Sequence, residues 1–208
     1  DAKQFKKQYQ GKIVGLGGNG QALCEAIGAY EQLSDLMGRI GSYAGLRFYV
    51  NMTDPDRAKL YGDVQDKLTA ASGDLLFFEL DLNRIADADL AIALKTEALA
   101  RYKPWLDDLR KEKPYQLDEQ LEKLFLDKGT TSRSAFDRLF NETMSGLKFA
   151  VEGEPAPLSL EPTINFLTHP DPRKRQAAAG AVAKVLKDNS RLFTLITNTL
   201  AKDKEISD

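Results

Sequence analysis

Apolar positions recur at steps of three and four over most of this chain. Leu23, Ile27, Tyr30, Leu33, Met37, Ile40 and Ala44 form one stripe, which predicts an amphipathic helix from about Asn19 to Phe48. Thr53-Asp54-Pro55 then signals a new helix start. The Asp54 carboxylate can accept from free N–H groups, and Pro55 at the first helical position gives up no hydrogen bond. A second stripe follows at Leu60, Val64, Leu68, Ala71, Leu75, Phe78 and Leu82. The short link between the two stripes favours antiparallel neighbours. Gly28, Gly38, Gly41 and Gly45 interrupt the first helix, each at about 1 kcal/mol relative to Ala. Their expected use is close approach of a neighbouring helix.

Asp87 to Tyr102 predicts a third, shorter helix that Lys103-Pro104 breaks. Trp105, Leu106 and Leu109 make a short helical turn. A fresh helix begins after Asp118 with Leu121, Leu124 and Phe125 on one face. Gly129-Thr130-Thr131-Ser132 ends it and caps the next, which is expected to bury Phe136, Leu139, Phe140 and Met144. Leu147, Phe149 and Val151 alternate with polar or small residues, and Gly153-Glu154-Pro155 turns the chain toward Leu158 and Leu160. This predicts a β-hairpin, kept short and edge-like by Pro155 and Pro157. The last helix starts at Asp171-Pro172 and carries an apolar face from Ala177 to Leu200. Arg173, Lys174 and Arg175 crowd its first turn against the preferred dipole polarity, which predicts an acidic neighbour. The expected fold is mainly α: a bundle of long antiparallel helices with one small β-hairpin near 147–160. Two parts are expected, a helical bundle over 1–115 and a helix, hairpin and helix part over 116–208.

Composition narrows the function classes. The 208 residues are 42% hydrophobic and 29% charged, the profile of a folded globular chain. Twenty-nine basic against 31 acidic residues leave a net charge of -2, so no one-sign field recruits nucleic acid or an anionic membrane. No apolar run approaches the roughly 20 residues that span a bilayer. A single cysteine, Cys24, excludes an internal disulfide and fits a reducing compartment. Both ends read as cut: the chain opens on Asp1 without an initiator Met, and Ile206-Ser207-Asp208 follows an amphipathic run with no Gly or Pro stop.

Several residues invite chemistry. Gly15-Leu16-Gly17-Gly18-Asn19-Gly20 spells G-x-G-x-x-G, the loop that lets a pyrophosphate approach a helix N-terminus. Only Ile13-Val14 precedes it, and no second strand ends in an acid about 20 residues on. A flexible helix entry therefore fits better than an NAD site. His169 is the sole imidazole, with no Cys or second His nearby, whereas a zinc site needs about three protein ligands. It reads as an exposed loop residue ahead of a helix cap. Cys24 sits at a stripe edge and reads as a buried small residue, not a nucleophile. Glu79 and Asp81 stand two apart on a helix, which points them to different faces, and a solvated face is expected. Arg173, Lys174 and Arg175 could hold a phosphate or carboxylate, but no aromatic interleaves them. Tyr102, Trp105 and Tyr115 flank prolines in the manner of packed helix junctions.

One resemblance organises the rest. Phe77-Phe78-Glu79-Leu80-Asp81-Leu82, Pro104-Trp105, Pro114-Tyr115-x-Leu117, Leu147-Lys148-Phe149 and Pro170-Asp171-Pro172-Arg173-x-Arg175 occur in an order and spacing that resembles the N-terminal region of the oligoendopeptidase F branch of the M3 zinc metallopeptidases. The likeness is best from about Asp81 to Lys187. It implies a mostly helical fold around a deep channel, with the N-terminal region as one wall and a zinc-bearing catalytic region as the other. In that family His-Glu-x-x-His holds the zinc, the metal polarises water and carbonyl, and the glutamate acts as general base. That motif is absent from residues 1–208. No catalytic, cofactor-binding or metal residue therefore carries over: the resemblance implies zinc in the parent enzyme and none in this chain. It implies a non-catalytic channel wall of a cytoplasmic metalloendopeptidase that hydrolyses short peptides. Its partners would be the oligopeptide substrate and a C-terminal catalytic domain reached after residue 208. The competing reading is a stand-alone helical protein-interaction module.

Overall fold

The computed structural model describes residues 1–207 and is mainly helical. Helix α1 (Ala2–Tyr9) leads through a 3₁₀ turn to α2 (Gly20–Val50) and α3 (Pro55–Arg84). Short helices α4 (Asp87–Ala93) and α5 (Glu97–Ala100) follow, then α6 (Lys103–Glu112), α7 (Glu119–Gly129) and α8 (Arg133–Gly146). After an extended stretch come α9 (Leu160–Asn165), α10 (Pro172–Asp188) and α11 (Ser190–Ser207).

The two long helices form where the stripes place them. Asn19 opens α2, its side-chain oxygen accepting from Ala22 N–H at 3.1 Å. Asp54 opens α3, accepting from Asp56 and Arg57 N–H at 3.0 and 3.2 Å. They run antiparallel: Tyr30 stacks on Phe78 with ring centroids 4.7 Å apart, while Gly41 farther along α2 lies against Leu68 earlier on α3. Of the four glycines on α2 that suggested close helix packing, Gly41 fits: a Cβ there would sit 3.1 Å from Leu68, whereas one at Gly38 would meet nothing within 4 Å.

Three sequence expectations need correction. The third helix is split at Leu94-Lys95-Thr96, because Thr96 adopts an extended backbone ahead of α5. The break expected at Lys103-Pro104 does fall there: α5 ends at Ala100, and Pro104 lies in the first turn of α6, where a missing N–H costs nothing. The last helix is interrupted at Asn189, whose own side chain donates to the Val185 carbonyl at 2.9 Å and so competes with the helical ladder. The expected β-hairpin near 147–160 is also absent as a sheet. Phe149 and Leu158 form one isolated antiparallel bridge, and the chain turns before a second can form, the Val151 carbonyl accepting from Glu154 N–H at 3.1 Å.

The chain divides into two compact units. The first comprises Asp1–Arg47 and Lys59–Lys128. Its core gathers Phe5 from α1, Leu23 and Ile27 from α2, Phe77, Phe78 and Leu82 from α3, then Leu99 and Leu106. The C-terminal turns of α3 are buried on several sides, which is why Asp81 and Asn83 there are shielded as well. The guanidinium of Arg110 donates to the carbonyls of Asn83 and Ile85 at 2.6 and 2.8 Å, closing the C-terminus of α3 with a cation where the dipole favours one. The second unit comprises Phe48–Ala58 and Gly129–Asp208. Its core is smaller: Phe149, Val151, Ala178 and Ala181, flanked by Leu158, Leu160 and Phe166. Helix α8 contributes little to it. Leu139 and Phe140, expected to be buried, are each 41% exposed, and Phe140 meets Phe193 of α11 edge-on at 5.6 Å.

Candidate functional site

The first unit holds a cleft of about 550 Å³ lined by α2, α3 and α6. Helical periodicity places Ile27, Tyr30, Glu31, Ser34 and Asp35 on the same side of α2. Glu79 comes from α3, Tyr102 from the turn before α6, and Trp105 from α6 itself. The Tyr30 and Trp105 rings stack with centroids 6.3 Å apart.

Two tyrosine–carboxylate bonds organise this cleft. Tyr30 donates its hydroxyl to Glu79 at 2.8 Å, and Tyr102 donates to Glu31 at 2.7 Å. Arg101 in turn donates to the Tyr102 oxygen and lies 3.5 Å from Glu31, with its guanidinium 4.4 Å above the Tyr102 ring. Burial, then the Glu79 charge, pushes the Tyr30 hydroxyl well above the usual tyrosine range. Burial, then the bond to Glu31, raises Tyr102 likewise. Both phenols thus stay protonated as donors and are not bases. Aromatic walls with carboxylates at their edges suit binding of a cationic or donor-rich group, not bond cleavage.

The sequence candidates are scattered. Glu79 belongs to this cleft, while Asp81 is 6% exposed and paired with Arg84 at 2.9 Å. The solvated face expected for this pair is therefore corrected, because both flanks of α3 are packed here. Tyr102 and Trp105 do pack, but Tyr115 is 79% exposed. Cys24 is partly buried and donates its thiol to the Ala98 carbonyl at 3.3 Å. His169 accepts from Asp171 N–H through Nδ1 at 3.0 Å, so it stiffens the entry to α10. Of the basic triplet, Lys174 lies 3.9 Å from Glu154, and Arg175 donates to the carbonyls of His169 and Pro170. The glycine motif opens α2 from a 3₁₀ turn rather than a strand. A Cβ at Gly17 would meet Ile85 at 2.7 Å, and one at Gly20 would meet Thr96 and Ala93 at 2.2 and 2.4 Å. Those two glycines serve packing. Sequence reasoning missed Glu31 altogether and read Tyr30 as stripe only, since their partners lie 71 and 49 residues away.

Among the described residues, no group of three or more His, Cys, Asp or Glu side chains could hold a metal ion. The donor set does not fit zinc, and no chemistry is routed through that metal in this chain. No helix among them is long and apolar enough to cross a membrane.

Comparison with known proteins places these features. Residues 81–149 match the N-terminal family model of peptidase M3 described as Oligopeptidase F. Among solved structures, the crystal structure of oligoendopeptidase-F from Enterococcus faecium is similar, with a TM-score of 0.81 and 19% sequence identity. The match covers 97% of this chain and 39% of that one, so this chain spans well under half the length of that relative. No curated protein matches the sequence. The resemblance read from the sequence thus holds: residues 81–149 carry the signature of the family's N-terminal region, and the chain carries the corresponding fold.

Proposed function

We propose that this chain is the N-terminal, channel-lining part of an oligoendopeptidase F-like zinc metalloendopeptidase that cleaves short peptides. The observation that carries the reading is the fold likeness over 97% of the chain, joined to the family match at 81–149. The zinc and the bond-breaking groups belong to residues beyond this chain, and the role of residues 1–208 is to enclose and hold the peptide. The cleft around Tyr30, Glu79 and Trp105 supplies aromatic surface and carboxylates of a kind that grips a peptide's cationic groups. A stand-alone interaction module is the second reading, favoured by exposed apolar residues on α2 such as Tyr43, Leu46 and Val50.

The test is to assay the gene product that extends past Asp208, and the 208-residue chain beside it, on quenched fluorescent oligopeptides. The longer product is expected to carry His-Glu-x-x-His and to cleave, and the shorter chain to be inert. Metal-dependent cleavage by the shorter chain, or a longer product lacking both motif and activity, overturns the proposal.

A further inference from the structure

The second unit holds an open groove of about 860 Å³ between Ala150, the turn at Glu152-Gly153 and one face of α10. Phe149 commits both of its backbone groups to Leu158, at 2.8 and 2.9 Å. Successive residues of an extended chain turn their N–H and C=O groups to opposite edges. Ala150 therefore presents its own pair to the other edge, and Ala150, Glu152 and Gly153 line the groove. Among the described residues, the backbone groups of Ala150 and Glu152 make no hydrogen bond. The stretch is not loose: the side chains of Phe149 and Val151 are buried, which fixes the orientation of the open edge.

Helix α10 forms the opposite side. Ala177, Gly180 and Ala181 give a shallow floor, and a Cβ at Gly180 would meet nothing within 4 Å. Arg173, Lys174 and Lys184 line the same groove against a single lining acid, Glu152. Lys174 has Glu154, but Arg173 and Lys184 have no anionic partner among the described residues. Arg173 also sits in the first turn of α10, where the positive pole disfavours a cation. An incoming carboxylate would supply the counter-charge that the sequence led us to expect and that the chain itself gives only to Lys174. At 1.5 Å per helical residue, Arg173 and Lys184 are about 16 Å apart along α10, a span that roughly five extended residues cover.

We propose that this groove binds an extended acidic peptide, which pairs its backbone with the open edge at Ala150 and sets side-chain carboxylates against Arg173 and Lys184. The site does not depend on the peptidase reading; it requires only the open edge and the two cations.

The experiment titrates the 208-residue chain against a fluorescent five-residue peptide with Glu at both ends and β-branched residues between. Both termini are blocked, so only side-chain carboxylates remain. Saturable binding is expected. Replacing both Glu by Gln should weaken it about tenfold, the yield of two exposed charge pairs. Arg173→Ala with Lys184→Ala, both on the exposed face of α10, should cost the Glu peptide the same factor and the Gln peptide nothing. N-methylation of the central amide, the one that pairs with Ala150, should abolish binding. Equal binding of the Gln, N-methylated and parent peptides overturns the proposal, as does no binding at millimolar peptide. A longer gene product that takes up no peptide also overturns it, because a segment of that product would then be the occupant.

Discussion

Gly20 and Gly38 stand on one helix and should answer oppositely to the same methyl group. A Cβ at Gly20 would fall inside Thr96 and the Ala93 carbonyl, so Gly20→Ala is expected to cost about 1–3 kcal/mol through overpacking. Gly38 has open space around it, so Gly38→Ala should gain about 0.5–1 kcal/mol. Urea unfolding followed by circular dichroism reads both. The same pair shows why the G-x-G-x-x-G string misleads: what makes Gly20 necessary lies more than 70 residues away, and nothing local marks it. Tyr30 gives a second prediction. Its raised pKa means the folded chain keeps a proton that the unfolded chain has lost. That stabilisation is complete below the ordinary tyrosine value of about 10 and is lost as pH climbs above it. The melting temperature should fall from about pH 10 upward. Tyr30→Phe should lose about 1 kcal/mol at neutral pH with the Glu79 bond, and then fall less steeply in alkali.

Helix starts were the most legible elements, because their signals are local. Asp54-Pro55 and Asp171-Pro172 both cap where the sequence places them, and Asp171 accepts from Arg173 N–H at 2.9 Å. Asp171→Ala should cost about 1 kcal/mol and speed amide exchange in the first turn of α10. Two other helix interruptions were not legible, unlike the break at Lys103-Pro104. Leu94-Lys95-Thr96 and Asn189 contain neither Gly nor Pro, and the apolar face runs through both. The 147–160 alternation was real in burial, since Phe149 and Val151 do point inward. Pairing failed for a different reason: the Val151 carbonyl closes a turn on Glu154, which stops the ladder after one bridge. Burial periodicity and hydrogen-bond capacity are separate requirements, and this segment meets only the first. The cleft residues fall between these cases. Helical spacing puts Tyr30, Glu31 and Ser34 on one face, but their partners on α3 and α6 emerge only from packing.

At the scale of the molecule, the proposed division of labour makes a sharp contrast. 1,10-Phenanthroline should leave the melting curve of the 208-residue chain unmoved, because its described residues hold no donor set for zinc. The same chelator should abolish peptide cleavage by the longer product. NAD at millimolar concentration should likewise leave the melting temperature unchanged, given how Gly17 and Gly20 are used. The interleaved units carry a further consequence, for synthesis on the ribosome. Residues 48–58 belong to the second unit, yet everything between them and Gly129 belongs to the first. Ser145, which donates to the Met52 sulfur, is translated 93 residues after it. At about 5–20 residues per second that is a wait of roughly 5–20 s. The tip between α2 and α3 therefore leaves the exit tunnel long before its own unit exists, and a nascent-chain chaperone would find it there first.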